Sequence, residues 1–154
     1  MQISVSTEYA IHSILYMATH KTHRIVLVSE IGNAQNIPIS YLAKVFRILA
    51  KTGVVRSFRG SKGGYTLAKS PDQITIREVV EAMEGRTPLF ESLGERRGCK
   101  AGSECKIQET FRSAHDKMYE ELERVTFQDL VDDALEHAGN VEWLINNPPS
   151  KRDF

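Results

Sequence analysis

The sequence predicts a mainly α-helical fold with one small β-hairpin, and three features of the chain predict it. First, apolar residues recur at helical spacing in several segments that polar caps and glycines separate. Second, a short helix over Ser29–Gln35, a turn at Asn36-Ile37-Pro38 and a longer helix that begins at Ile39-Ser40 follow one another directly. Third, two β-prone runs, Val54–Phe58 and Tyr65–Leu67, flank a glycine-rich turn. This order is typical of a winged helix-turn-helix, and a further long helix follows it.

Length and composition fit one globular domain. The chain has 154 residues, of which 41% are hydrophobic and 26% are charged, values that are ordinary for a fold with a real core. No apolar run reaches the length of a membrane span. The start of the chain lacks the basic and apolar regions of a signal peptide. We therefore expect a cytoplasmic protein without a membrane partner.

The net charge is zero, but the two parts of the chain differ strongly in charge. Residues 1–70 hold nine Lys and Arg against two Asp and Glu, a balance of +7. Residues 71–154 hold eleven against eighteen, a balance of −7. Surface cations are often only solvated, but here they gather on one helix and one hairpin. This distribution favours a nucleic-acid partner.

The first helix is expected over Ser4–Lys21, with Ser4, Ser6 or Thr7 as its N-cap. Its apolar stripe is formed by Ile11, Ile14, Leu15 and Ala18. A short apolar run over residues 26–28 then leads to Ser29, which we expect to cap the second helix.

The third helix has an apolar face and a basic face. The apolar face is predicted from residues at i, i+3, i+4 and i+7, namely Leu42, Val45, Phe46 and Leu49. Lys44, Arg47 and Lys51 lie on the opposite face, and Gly53 is expected to end the helix. The hairpin tip that follows, residues 59–64, is basic and rich in glycine. A basic helix face followed by a basic hairpin is what a winged helix needs to grip a DNA duplex.

The candidate DNA-binding residues follow from this arrangement. Ser40, Tyr41, Lys44 and Arg47 are expected at the side of the third helix that faces the DNA groove. Lys51, Arg56 and Lys62 are expected to contact phosphates, and Arg59 at the wing tip to enter the minor groove. Plain solvation is the alternative for Lys51 and Lys62, and capping alone is the alternative for Ser40.

The second part of the chain predicts three more helices. Thr75 is expected to cap a helix over Ile76–Glu84, which Gly85 ends. Residues 86–102 show no periodicity and contain Cys99. A long helix follows, whose apolar seam has steps of three and four: Ile107, Phe111, Ala114, Met118, Leu122 and Val125. Thr126 is expected to start a last helix over residues 127–138.

With these elements in place, the chain resembles the IscR/NsrR family of bacterial winged-helix regulators over roughly residues 1–135. The resemblance rests on residues 6–10 (STEYA), 40–42 (SYL), 53–55 (GVV), 59–60 (RG) and 63–65 (GGY), and on a Cys-x5-Cys before the long helix. It implies a homodimer, packed through the long helix, that binds near-palindromic double-stranded DNA. It also implies an iron–sulfur cluster whose state tunes DNA binding. The expected organisation is a winged helix-turn-helix domain (1–85), a cysteine loop (86–106), dimerisation helices (107–138) and a tail (139–154).

The cysteine pattern departs from that of cluster-bearing relatives, which usually have three cysteines. Cys99 and Cys105 match the second and third, whereas the first position is Leu93, which cannot bind iron. Two ligands are therefore missing, and imidazole can replace thiolate in such centres. Glu8 and His12 are four residues apart on one face of the first helix. The resemblance also implies that an acidic residue at the start of the first helix can complete the cluster across the dimer. We therefore expect a [2Fe–2S] cluster with the two cysteines on one iron, and with Glu8 and His12, from the partner subunit, on the other.

Other interpretations of these residues stay open. A Glu/His pair at this spacing is commonly only a helix-surface pair. Lys100 and Lys106 flank the cysteines, and positive charge favours thiolate, so a cluster-free regulator that answers thiol oxidation or a small ligand is an alternative. Zinc is another, because two Cys, one His and one carboxylate form a tetrahedral set. An enzyme or a small electron carrier is disfavoured, since the chain has no nucleophile elbow and no dinucleotide fingerprint.

Overall fold

The computed structural model of the chain describes residues 3–20, 24–86, 88 and 105–137. Its helices are α1 (Val5–Thr19), α2 (Val28–Gln35), α3 (Ile39–Lys51), α4 (Ile76–Glu84), α5 (Lys106–Arg124) and α6 (Phe127–Glu136). Two strands, β1 (Val55–Phe58) and β2 (Gly64–Leu67), form an antiparallel hairpin between α3 and α4. The predicted mainly α fold with a hairpin wing is confirmed.

Helix α1 lies at the centre of the fold, where it packs against α3, α4 and α6. Ala10 and Ile14 are fully buried, and so is the polar Ser13, whose hydroxyl donates to Tyr9 O at 2.6 Å. Ser4 is the N-cap, and its Oγ accepts from Thr7 N at 3.3 Å. The helix therefore begins at one of the three predicted caps.

The helix-turn-helix forms as predicted, but its two caps differ from the prediction. Leu27 and Pro38 hold the N-cap positions of α2 and α3, whereas Ser29 and Ser40 lie inside the helices. The turn bends back at Asn36, which adopts the left-handed conformation with φ 55°. A Cβ added at Gly32 would lie 2.9 Å from Ile37 O, so a glycine permits this close approach.

The wing is anchored to the body of the protein by a third piece of extended chain. β1 pairs with β2 in the register Val55↔Leu67 to Phe58↔Gly64. Val26 then pairs with Tyr65 on the other side of β2, with backbone hydrogen bonds of 2.8 and 2.9 Å. The Tyr65 ring packs on Phe46 of α3, with centroids 4.8 Å apart. The wing is thus fixed relative to α3.

The last helix returns to the core of the winged domain. Phe127 N donates to Ile74 O at 2.9 Å, and Ile76 N donates to Val125 O at 3.1 Å. Phe127 is fully buried in the same apolar cluster as α1 and α3. The Thr126 and Asp129 side chains form a capping box that starts α6. The division into residues 1–85 and 107–138 stays a prediction, but α6 belongs to the core that α1 organises.

Helix α5 contacts the rest of the chain mainly through α4. Tyr119 is its one buried residue, and the Arg77 guanidinium lies over the Tyr119 ring, 5.4 Å from the centroid. Ile107, near the start of the predicted seam, is 60% exposed. In the portion of the chain that the structure describes, no helix has both the length and the apolar character needed to cross a membrane.

Candidate nucleic-acid interface and metal-ligand residues

Helix α3 turns its basic face outward because its apolar face is fully used in the core. Leu42, Val45, Phe46 and Leu49 are all buried, as the periodicity predicted. Lys44, Arg47 and Lys51 are exposed on the opposite side. A single helix therefore presents a row of cations to solvent.

The predicted DNA-binding cations are not neutralised by any carboxylate within residues 24–86. Within residues 24–86, Arg24, Lys69 and Arg77 form ion pairs with Glu30, Glu78 and Glu81, respectively. By contrast, six cations have neither an ion pair nor a side-chain hydrogen bond there: Lys44, Arg47, Lys51, Arg56, Arg59 and Lys62. All six are exposed. Their charge is directed to solvent, which suits an anionic partner.

Ser40 and Tyr41 lie in the first turn of α3, where they were expected. Tyr41 N donates to Pro38 O at 3.0 Å, so Pro38 rather than Ser40 begins the helix. Ser40 is exposed, and Tyr41 is 37% exposed. The Tyr41 hydroxyl lies 2.7 Å from Ser6 Oγ, and its ring meets the Tyr9 ring edge-on with centroids 5.5 Å apart. Tyr41 is thus held from α1 as well as from α3.

The wing has an outer face that combines cations with an exposed aromatic ring. Val55 and Leu67 are buried on its inner face. Arg56 and Phe58 lie at alternating positions on the outer face, and Phe58 is 46% exposed. Arg59 follows directly at the tip. Phe58 was not among the predicted residues, although the alternation of Val55, Arg56 and Phe58 in the sequence indicates its outward position.

A family model described as "Rrf2: Iron-dependent Transcriptional regulator" matches residues 3–133. The chain belongs to the Rrf2 family. The match spans both the winged domain and α5, so the family assignment covers the structural elements described above. The chain is therefore an Rrf2-family transcriptional regulator, and DNA-binding regulation is the activity that this assignment supports.

Proteins to which this chain is similar agree with the family assignment. It is 32% identical over 131 residues to the transcriptional regulator IscR of Pectobacterium carotovorum, covering 85% of this chain and 79% of that one. It is 31% identical over 132 residues to the transcriptional regulator NsrR of Shouchella clausii, covering 85% and 89%. Among solved structures it resembles CymR, the global cysteine regulator of B. subtilis. The TM-score is 0.66 at 26% identity, and 86% of this chain and 97% of that one are covered.

The structure describes three of the four predicted metal ligands, and Cys99 and Leu93 lie outside the described residues. Glu8 is exposed and His12 is half-buried, one turn apart on α1. Cys105 is half-buried at the N-cap of α5. Among residues 3–20, 24–86, 88 and 105–137, no group of three or more His, Cys, Asp or Glu side chains is placed to hold a metal ion. One chain therefore does not bring Glu8, His12 and Cys105 together as a site.

The first turn of α1, which carries Glu8, is fastened to the end of α4. One oxygen of Glu84, Oε1, accepts from Ser4 N at 2.9 Å, from Ser4 Oγ at 2.7 Å and from Thr7 Oγ1. These bonds lower the pKa of the Glu84 carboxyl, with the Thr7 hydroxyl as the largest contribution. Ser4 and Thr7 were predicted only as candidate caps, because nothing local in the sequence links them to Glu84.

Proposed function

We propose that this Rrf2-family chain acts in the cytoplasm as a homodimeric regulator that binds near-palindromic double-stranded DNA. In this proposal, a [2Fe–2S] cluster makes DNA binding respond to redox or iron–sulfur status. The observation that carries the DNA-binding part is the set of six exposed cations on α3 and the wing, none of them paired with a carboxylate of residues 24–86.

The proposed roles on DNA follow from position. Ser40 and Tyr41 lie at the N-terminal end of α3, the end that reaches base edges and phosphates in helix-turn-helix proteins. Lys44 and Arg47 would line the groove one turn further along. Lys51, Arg56 and Lys62 would contact phosphates, and Arg59 would enter the minor groove.

The exposed seam of α5 supports the homodimer. Ile107 and Ala114 are exposed, and Met118 and Leu122 are half-buried although they follow the apolar spacing of a coiled-coil seam. Pairing with a second copy would remove this apolar surface from water. Two copies would also present two α3 helices to half-sites about one helical turn apart.

The donor set supports a cluster shared between subunits. Glu8 and His12 project from one face of α1, while Cys105 lies at the start of α5. We propose that Cys99 and Cys105 hold one iron, and that Glu8 and His12 of the partner subunit hold the other. Such a cluster would supply a reversible one-electron change, and imidazole in place of thiolate would raise its potential.

A cluster-free regulator is the second candidate function. The half-buried thiol of Cys105 at a helix N-terminus favours it. In that case thiol oxidation or a small ligand would replace the cluster. A zinc ion held by the same donors is the third chemical possibility for the site.

Two measurements on the full chain test the proposal. Selection of random duplexes on the purified protein should enrich a near-palindromic sequence, and binding to it should weaken steeply with salt. Failure to enrich any duplex would contradict the DNA-binding part. Iron, zinc and acid-labile sulfide assays on anaerobically purified protein separate the three chemical possibilities. Two irons and two sulfides per site would support the cluster, and stoichiometric zinc would support the zinc alternative. A protein that contains neither iron nor zinc would support thiol or ligand sensing.

A further inference from the structure

We propose that Ser6 and Glu84 are positioning residues, which set the DNA-reading end of α3 through the first turn of α1. We call this group, formed by Ser4, Ser6, Thr7, Tyr41 and Glu84, the α1 brace. The inference rests on the proposed DNA-binding function and adds a path by which that function is regulated.

The first contact of the α1 brace joins α1 to α3. Ser6 Oγ and the Tyr41 hydroxyl are 2.7 Å apart, and the Tyr9 and Tyr41 rings pack in a T-shaped arrangement. A tyrosine side chain held at its ring and at its hydroxyl has little rotamer freedom left. Tyr41 therefore presents a fixed surface to DNA only while α1 holds it.

The second contact joins the same turn of α1 to α4. Glu84 is the last residue of α4, where a carboxylate meets the negative end of its own helix dipole. The N-terminus of α1 offsets this unfavourable interaction, because Ser4 N, Ser4 Oγ and Thr7 Oγ1 all donate to Glu84 Oε1. Thr7 is fully buried, so this end of the contact is fixed in the core.

The two contacts act as one unit because a single helical turn carries both. Ser4, Ser6 and Thr7 lie within four residues, and helical backbone bonds hold them in register. Gly85 ends α4 directly after Glu84, so the segment with Cys99 and Cys105 begins at this point of the chain. Glu8 follows Thr7 on the same turn. Glu8, a proposed cluster ligand, therefore lies on the same turn of α1 as the α1 brace, and its displacement would be transmitted to Tyr41.

The test is a double-mutant cycle on DNA binding with the duplex that selection on the wild-type protein recovers. The variants are Ser6→Ala, Tyr41→Phe and the double variant, with Thr19→Ala as a matched control because its hydroxyl bonds within α1, to Leu15 O. We expect each single variant to lower the ratio of specific to non-specific affinity about three- to tenfold. The double variant should lose no more than the larger single loss.

A role in stability alone predicts a different result. Ser6→Ala would then lower the thermal midpoint without changing the specificity ratio, and Ser6→Thr would not differ from Ser6→Ala. The α1 brace predicts that Ser6→Thr, which keeps the hydroxyl, restores the ratio. Additive losses in the cycle, or a ratio within about twofold of wild type, would overturn the proposal.

Glu84→Ala tests the second contact, with Glu120→Ala on the exposed side of α5 as its control. We expect Glu84→Ala to lower the specificity ratio and to add nothing to the Ser6→Ala loss. An effect on stability with an unchanged ratio would remove Glu84 from the α1 brace. A wild-type chain that enriches no duplex would overturn the proposed function itself, whereas enrichment with unchanged variants would overturn this inference alone.

Discussion

Val26 and Tyr65 exchange two backbone hydrogen bonds, of 2.8 and 2.9 Å, and so join the wing to the chain that precedes α2. This pairing turns a two-stranded hairpin, which is marginal by itself, into part of the folded body. It also brings the Val26 backbone and the Ile25 side chain directly against Gly64. The orientation of the wing relative to α3 depends on that close approach.

Substitution of Gly64 tests the importance of this approach. A Cβ at Gly64 would lie 2.6 Å from Val26 O and 2.7 Å from Ile25 Cγ2, and its φ is 151°. We expect Gly64→Ala to lower the free energy of unfolding by about 2–4 kcal/mol. Gly60→Ala is the control, because Gly60 has φ 103° but nothing within 4 Å of a Cβ. Urea denaturation measures the free energy of unfolding of both variants. Equal losses would show that the positive φ alone, and not the contact with residues 25 and 26, causes the destabilisation.

Substitution of Lys44 tests whether the basic face of α3 binds DNA. A variant that lacks one cationic contact releases fewer counterions from the DNA when it binds. Lys44→Ala should therefore weaken DNA binding and lower its salt dependence. We expect the slope of log affinity against log salt to fall by about 0.9, measured by fluorescence anisotropy. Lys69→Ala is the matched control because Lys69 is ion-paired with Glu78. A slope and affinity equal to those of the control would exclude Lys44 from the interface.

Arg59 tests the wing tip. An exposed guanidinium without an ion pair in the described part of the wing is suited to a narrow, A·T-rich minor groove. We expect Arg59→Ala to cost about 1–3 kcal/mol of specific binding and to abolish any preference for A·T pairs beside the half-sites. Gel-shift titrations with A·T-rich and G·C-rich flanks measure this. Arg124→Ala on α5 serves as the control, and the same flank preference in both variants would contradict the role.

The Glu84 contact predicts a pH-dependent contribution to stability. Hydrogen bonds from Thr7 and Ser4 lower the pKa of the Glu84 carboxyl in the folded protein. The contribution is therefore present above the ordinary glutamate pKa of about 4.3 and is lost as the pH falls through the lower folded-state pKa. We expect wild type to exceed Glu84→Gln in stability near pH 7, by on the order of 0.5 kcal/mol because solvent screens this exposed carboxylate. Thermal melts at several pH values should show the difference shrinking in acid; a constant difference would contradict the assignment.

His12 tests the proposed ligand set. If its imidazole binds iron, His12→Ala should change or remove the visible absorption of anaerobically purified protein and reduce its iron content. His137→Ala, at the exposed end of α6, is the control and should leave the spectrum intact. A normal spectrum and full iron content in His12→Ala would remove this residue from the site.

Local signals explain what the sequence analysis predicted correctly. The apolar spacing of α3, Thr75 and Thr126 as caps, and the glycines that end α3 and α4 each act within a few residues of the chain. The prediction that Ser29 caps α2 was wrong, and so was the alternative that Ser40 acts only as a cap, because the helices begin earlier, after Leu27 and Pro38. A hydroxyl near a helix start is a common cap, but here the non-helical backbone at Leu27 and Pro38 sets the start of each helix.

Contacts between distant residues explain what the sequence analysis missed. Ser6 and Tyr41 are 35 residues apart, and Ser4 and Glu84 are 80 apart. No periodicity links such pairs, since tertiary packing alone brings them together. The return of α6 to the core has the same origin, because the backbone N–H of Phe127 donates a hydrogen bond to Ile74 O. The cations of α3 and the wing were predictable, whereas the bonds that hold Tyr41 in place were not.

The most direct test of the account is the affinity of anaerobically purified protein for its selected duplex, before and after reduction with dithionite, with the visible spectrum recorded on the same samples. We expect the visible absorption to bleach reversibly and the affinity to change with it by at least about tenfold, a coupling of roughly 1.4 kcal/mol. A colourless protein, or a bleached one whose affinity does not change, would contradict cluster-controlled DNA binding.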